Sequence, residues 1–241
     1  IYLCENIYLT MQKNNKCLDW NPCEHFEGVA PKVLLIGHDP RLQTSDTIAD
    51  YALFINYYFN GCSNIGSEKR KYNFAKASFE QVLNLTNNNY RAEEIYVTNL
   101  CNETLPHAPQ GKTVLIPHDV AKEGVECIKK IISQNDSIEL ILPMSQQVNY
   151  WLQRFDFYRT DTDFLLKAEP KEKGIINESP YYEPKKTKAF LDICGNIYKT
   201  ETSKMVVPIL HTKQYDKIPA YLPKYEKLKE MLSRYCCFSE Y

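Results

Sequence analysis

Residues 33–41, which read VLLIGHDPR, carry the clearest indication of how this chain folds. The four apolar residues at 33–36 predict a buried strand of an α/β sheet, because strands covered on both faces are apolar without alternation. Gly37 permits a sharp turn, and Pro40 fixes the direction in which the chain leaves it. Asp39 is then expected at the carboxyl edge of the sheet, where open α/β folds bind ligands. A β-turn that uses Asp and Pro only for local geometry explains the same residues.

Outward from this stretch, apolar strands alternate with amphipathic helices. We predict strands at 33–36, 94–98, 138–142 and 205–210, and helices at 1–13, 67–85, 119–134, 146–153, 189–198 and 222–234. This alternation is typical of a parallel sheet with helices on both faces. We therefore expect a three-layer α/β/α fold with a central, mostly parallel four-stranded sheet, in one domain spanning residues 1–241. Residues 155–188, which contain three prolines, are expected to form an irregular insertion.

The helix predicted at 119–134 has an apolar stripe along one side. The residues expected to face inward are Val120, Gly124, Cys127, Ile128, Ile131 and Ile132.

The composition is that of a globular protein, with 44% hydrophobic and 24% charged residues among 241. Neither of the glycine-rich phosphate-binding motifs, G-x-G-x-x-G and G-x-x-x-x-G-K-[ST], occurs. The net charge of −1 excludes the overall positive field that many nucleic-acid-binding proteins use. Between positions 167 and 230, however, 13 Lys stand against 9 acidic residues. This local excess fits either solvated helix faces or a groove that faces phosphates.

The nine cysteines are odd in number and form no C-x-x-C pair, which argues against a disulfide framework and against a zinc finger. Reduced thiols indicate a cytoplasmic location. The sequence has no apolar run long enough to cross a membrane and no signal peptide at its first residue. We expect a cytoplasmic monomer with no membrane partner and no metal.

Three predicted strands are followed by a polar residue that has a possible chemical role: Asp39, Asn99 and His211. In a parallel sheet these strand ends share one edge, so a carboxylate, an amide and an imidazole are expected to face one cleft. Each residue also has a purely structural explanation. Asn99 can satisfy backbone groups in a turn, and His211 can be a half-buried core histidine.

The motifs around these residues resemble the uracil-DNA glycosylase superfamily. Gly-His-Asp-Pro at 37–40, Tyr-Val-Thr-Asn at 96–99 and Ile-Leu-His-Thr-Lys at 209–213 occur in the order in which that family carries its G-x-D-P loop, its asparagine and its late histidine loop. The resemblance covers roughly residues 30–234. His38 stands where uracil-specific members usually have Gln, and Thr212 and Lys213 replace the Pro and the Ser or Ala that follow the family's histidine.

The resemblance implies a DNA glycosylase that flips a nucleotide out of the duplex and hydrolyses its N-glycosidic bond. Asp39 would orient water and stabilise the positive charge that develops on the sugar. His211 would donate a hydrogen bond to the departing base, a contribution of about 3 kcal/mol for a preorganised donor. Asn99 would recognise the base edge, since its amide both donates and accepts.

The remaining site residues follow from the same resemblance. His38 would contact the base, and an aromatic side chain would stack on it. Phe54 is our choice for stacking among four candidates after the Asp39 loop, although core packing accounts for the whole aromatic cluster: Phe54, Tyr57, Tyr58 and Phe59. Lys213 and Lys217 would contact DNA phosphates, or are ordinary surface lysines.

Some members of that superfamily hold an iron–sulfur cluster through four cysteines. Cys127 lies at a position that resembles one ligand, but Cys101 is displaced from the expected spacing. Cys4, Cys17 and Cys23 are too widely spaced to supply the N-terminal pair. We therefore expect no iron–sulfur cluster and no other cofactor.

Two further functions remain open at the level of sequence. One is a non-catalytic nucleobase- or nucleic-acid-binding protein of the same fold, which the altered residues His38 and Thr212 favour. The other is an unrelated α/β hydrolase in which Asp39 and His211 act as an acid–base pair on a small substrate, which the near-neutral charge favours.

Overall fold

The computed structural model describes residues 17–39, 49–62, 66–103, 105, 113–160, 181–182, 188–212, 214 and 219–236. The helices within these ranges are α1 (Pro22–His25), α2 (Ile55–Asn60), α3 (Gly66–Leu85), α4 (His118–Gln134), α5 (Gln146–Arg154), α6 (Lys188–Ile193) and α7 (Leu222–Cys236). The strands are β1 (Val33–Gly37), β2 (Ile95–Asn99), β3 (Thr113–Val114), β4 (Leu140–Pro143), β5 (Tyr181–Tyr182), β6 (Tyr198–Lys199) and β7 (Met205–Val206).

The chain is an α/β protein whose main sheet has the strand order β2-β1-β4-β7-β6. Neighbouring strands are parallel except β6, which runs antiparallel to β7. The four predicted strands correspond to β1, β2, β4 and β7, so the expected mostly parallel α/β fold is confirmed. The expected count of four strands is wrong, because β6 adds a fifth at the edge.

Strand β6 lies in a segment that the periodicity predicted to be helical as far as residue 198. Helix α6 instead ends at Ile193, and Gly195 turns the chain with a φ of +76°, a conformation that glycine adopts without strain. The Gly195 N–H donates to the carbonyl of Pro208, which fixes this turn against the chain after β7. A strand of two residues is too short to produce a recognisable alternation of apolar and polar residues in the sequence.

Both faces of the sheet are covered by helices. The β1 residues Val33, Leu34, Leu35 and Ile36 are fully buried, as expected for a strand with a helical layer on each side. Helices α3 and α7 contact each other, and so do α4 and α5. Right-handed crossovers in this strand order place the two pairs on opposite faces of the sheet.

The inward stripe of α4 differs from the predicted one by about one position. Its buried residues are Ala121, Val125, Ile128, Ile131 and Ile132, whereas Cys127 is exposed. Gly124 is needed for close packing rather than for its conformational freedom, because a Cβ atom there would overlap the carbonyl oxygen of Leu100. The helix backbone therefore lies directly against the chain that leaves β2.

Two predicted segments fall largely or wholly outside the described residues. They are the helix at 1–13 and most of the insertion at 155–188. Within the insertion, β5 pairs antiparallel with β3, which joins this part of the insertion to the chain between β2 and α4.

Candidate functional site

The carboxyl ends of four parallel strands form one edge of the sheet. Gly37 of β1 is in register with Asn99 of β2, and Ile36 is in register with Pro143 of β4. Beyond β4 and β7, Met144 forms a bridge with Ile209. The strand ends that precede Asp39, Asn99 and His211 therefore do share one edge.

Asp39 lies at the topological switch point of this edge. The chain leaves β1 toward β2 on one side, and β4 pairs with β1 on the other, so a crevice is expected between the ends of β1 and β4. Ligands of open α/β proteins bind in such a crevice. The Asp39 side chain is 20% exposed, so its carboxylate is accessible.

Asn99 lies over Gly37 at the end of β2. A Cβ atom on Gly37 would overlap Asn99 Oδ1 and would lie 2.7 Å from Leu53 Cδ2, so only glycine leaves room for this approach. Asn99 is 2% exposed; its Nδ2 lies 3.8 Å from Cys17 Sγ, and its Oδ1 accepts no hydrogen bond within the described part of the chain. A buried acceptor without a partner costs about 1–3 kcal/mol.

The segment that packs on Gly37 has a strained backbone. Leu53 and Phe54 have φ values of +52° and +58°, and two consecutive non-glycine residues in this left-handed region cost about 1–3 kcal/mol each. Phe54 is 2% exposed, and its ring contacts Phe74 edge-on at a centroid distance of 6.4 Å. The predicted stacking residue therefore lies beside the site but is covered by its neighbours.

His211 also contacts Phe74. Its ring centroid lies 5.5 Å from that of Phe74, with an interplanar angle of 31°. The next residue, Thr212, is buried, and its hydroxyl lies 3.1 Å from Ser78 Oγ and 3.6 Å from Met144 Sδ. His211 is therefore the first partly exposed residue after the β7 segment.

The predicted residues thus form two groups within the described structure. Asn99 lies over Gly37, two residues before Asp39 in the chain, while His211 and Phe54 both contact Phe74. Leu53, which contacts Gly37 and immediately precedes Phe54, connects the two groups along the chain. The predicted phosphate-binding residues, Lys213 and Lys217, lie outside the described residues.

Acidic side chains surround Cys17 near Asn99. Burial raises the pKa of the Cys17 thiol, and the negative charges of Asp19, Asp50 and Asp39 raise it further. Burial also raises the pKa of Asp19, although hydrogen bonds from Thr98 and Asn102 to its carboxylate oppose this. The Cys17 thiol is therefore an uncharged side chain that lines the site, not a nucleophile.

His38 lines the site on the side of β4. Its Nδ1 lies 3.1 Å from Asp39 Oδ2, and its Nε2 lies 2.6 Å from Nε2 of Gln147 on α5. Gln147 is 1% exposed and links the ends of β1 and β4 through this contact. Gln147 was not predicted as a site residue, because its partners Ile116, Val114 and His38 are all distant from it in the sequence.

A buried lysine was also missed. Lys71 on α3 is 8% exposed, and its Nζ donates to the hydroxyl of Tyr57 at 3.2 Å and lies 5.8 Å from the centroid of the Phe54 ring. Lysine is rarely buried to this extent in proteins. Lys71 lies one helical turn before Phe74 on α3, so this uncommon feature belongs to the site.

Within the described ranges, no cluster of three or more His, Cys, Asp or Glu side chains suits a metal ion. No helix there is sufficiently long and apolar to span a bilayer. No family model matches this chain, and the search of curated proteins finds no match.

Proposed function

We propose that this protein is a DNA glycosylase that hydrolyses the N-glycosidic bond of uracil or of another damaged or mismatched base. The observation that carries the proposal is the partly exposed Asp39 carboxylate at the switch point, two residues after the Gly37 that Asn99 overlies. The order of the parallel strands and the position of His211 at the same edge support it.

The chemistry needs a negative charge beside the sugar and a donor beside the base. As the C1′–N bond breaks, positive charge develops on the sugar, and the Asp39 carboxylate would stabilise it and orient the attacking water. His211 would donate to the base oxygen that gains negative charge. Asn99 would pair with the base edge through its amide, whose Oδ1 is already left without a partner among the described residues.

Base binding requires the site to open. Asn99 and Phe54 are each 2% exposed, so a flipped base reaches neither side chain in the described arrangement. The strained Leu53–Phe54 backbone is the segment whose rearrangement would release the Phe54 ring.

Release of free base from oligonucleotides tests the proposal. Duplexes that contain uracil, hypoxanthine or xanthine, or thymine opposite guanine, are incubated with the protein. We expect one of them to lose its base and Asp39→Asn to lower that rate by about 100-fold or more, the loss usual for a group that stabilises transition-state charge. Asp50→Asn removes a nearby exposed carboxylate and is expected to retain the rate. If the folded protein releases none of these bases, the proposal is wrong.

A non-catalytic nucleobase-binding protein is the second candidate. The packing of Thr212 against Ser78 favours it, because the loop after His211 then differs from the loop that serves catalysis in the superfamily that the motifs resemble. It predicts salt-sensitive DNA binding with no release of base, an outcome that the same duplexes distinguish.

A further inference from the structure

Gln147 has an amide whose orientation is fixed by backbone groups. Its Oε1 accepts from the N–H of Ile116, and its Nε2 donates to the carbonyl of Val114 at 3.0 Å. Exchanging the nitrogen and oxygen would place an amide nitrogen against an N–H and an oxygen against a carbonyl, so the opposite orientation is excluded.

This orientation determines the tautomer of His38. The Nε2 of Gln147 can only donate, and it lies 2.6 Å from Nε2 of His38, so the imidazole Nε2 must accept. The proton of the neutral ring is then on Nδ1, which lies 3.1 Å from Asp39 Oδ2 and donates to it. Two hydrogen bonds therefore connect Gln147 on α5 through the His38 ring to the Asp39 carboxylate.

We infer that His38 is a positioning residue that holds the Asp39 carboxylate in its working orientation, an inference that rests on the function proposed above for Asp39. Both ring nitrogens are occupied, Nε2 by Gln147 and Nδ1 by Asp39. His38 therefore neither removes a proton from water nor reads a base edge. The backbone supports this role, since the carbonyl of His38 accepts from the N–H of Cys101 at 3.0 Å.

Two substitutions separate positioning from base contact. In His38→Asn the amide nitrogen takes the place of Nδ1 and still donates to Asp39, but the contact with Gln147 is lost. In His38→Gln the longer side chain reaches the place of Nε2 and keeps the contact with Gln147, but the donor to Asp39 is lost. Gln is also the residue that stands at this position in uracil-specific members of the superfamily that the motifs resemble.

We expect His38→Gln to lower kcat for base release by about 10- to 100-fold with KM for the duplex unchanged, the range found when a partner that orients a functional ligand is removed. His38→Asn is expected to remain within about threefold of wild type. If His38→Gln equals or exceeds wild type while His38→Asn loses activity, His38 contacts the base and the positioning role is wrong.

The tautomer gives a test that does not depend on activity. Long-range proton–nitrogen NMR of the protein labelled with ¹⁵N-histidine, with His38 assigned by its loss in His38→Asn, is expected to show a protonated Nδ1 and an unprotonated Nε2. Gln147→Met removes the donor and is expected to shift His38 toward the Nε2–H form, whereas Gln146→Met leaves it unchanged. Observation of the Nε2–H form in the wild-type protein overturns the inference.

The two experiments distinguish the two proposals. The expected tautomer together with no release of any base leaves the geometry around Asp39 intact and overturns the glycosylase function. Release of base with the Nε2–H tautomer supports the glycosylase function and overturns the positioning role.

Discussion

Lys71 is 8% exposed, and its ammonium group has no carboxylate partner in the part of the chain that the structure describes. Its contacts are the hydroxyl and ring of Tyr57 and the ring of Phe54. Removing an ion from water costs several kcal/mol even after relaxation, whereas a cation–π contact returns about 2 kcal/mol. The desolvation cost is the larger quantity, so we infer that the charge destabilises the fold.

Replacement of this lysine is therefore expected to stabilise the protein. Lys71→Met keeps the apolar stem and removes the charge, and should raise the free energy of unfolding by about 1 kcal/mol. Urea unfolding measures the change, with Lys69→Met as the control, since Lys69 is exposed on the same helix and should alter stability by less than about 0.5 kcal/mol. A loss of stability in Lys71→Met would mean that the Tyr57 hydrogen bond and the ring contacts outweigh desolvation.

Individual site residues were predictable to different degrees. Asp39, Asn99 and His211 were found because each follows an apolar strand, and strand ends are readable along the chain. Gln147 and Lys71 were not, because their importance comes from partners that are distant in sequence. The amide of Gln147 is oriented by backbone groups more than 30 residues away. Lys71 lies in a stretch whose charges predict a solvated helix face.

At the scale of elements, strands with many buried residues were found and short or interrupted ones were not. Strand β1 is fully buried and was predicted within one residue of its observed end. The predicted strand at 205–210 is instead β7 (Met205–Val206) followed by a single bridge at Ile209, because Pro208 between them has no N–H to donate to a ladder. Strand β6 has only two residues and depends on β7 for its pairing.

A substitution in helix α4 is expected to change helix propensity and packing in opposite directions. Gly124→Ala improves helix propensity by about 1 kcal/mol, but the new Cβ overlaps the carbonyl oxygen of Leu100. Because that neighbour is backbone, relief requires the helix to move, and overpacking of this kind costs about 1–3 kcal/mol or more. We expect a net loss of about 1–2 kcal/mol in chemical unfolding.

A control on the same helix isolates the packing effect. Lys122→Ala changes an exposed position and is expected to alter stability by less than about 0.5 kcal/mol. A stabilised Gly124→Ala variant would show that α4 does not lie against the chain leaving β2.

At the scale of the whole molecule, the sequence predicted the α/β class and the shared strand edge, but not how the edge is closed. The order of strands places Asp39 at the switch point, and this follows from the crossovers rather than from any single motif. The burial of Asn99 and Phe54 depends on the left-handed Leu53–Phe54 backbone. No residue preference indicates such a conformation for Leu or Phe, so it was not predictable from the sequence.

The charge of the whole molecule determines how the protein would bind DNA. A net charge of −1 provides no general attraction to a polyanion, so affinity must come from a few local contacts. The excess of lysine between positions 167 and 230 is where we place them, with Lys213 and Lys217 as the phosphate-binding residues. Few contacts mean a weak dependence of affinity on salt, because each neutralised phosphate releases only about 0.9 counterion.

The salt dependence of DNA affinity therefore reports the number of these phosphate contacts. For two phosphate contacts, the logarithm of the association constant should fall against the logarithm of salt concentration with a slope of about −1.8, measured by fluorescence anisotropy between about 50 and 200 mM salt. Lys213→Ala and Lys217→Ala should each reduce the slope by about 0.9, whereas Lys227→Ala, at an exposed position on α7, should leave it unchanged. Equal slopes in all four proteins would place the DNA-binding surface elsewhere, because neither lysine would then neutralise a phosphate.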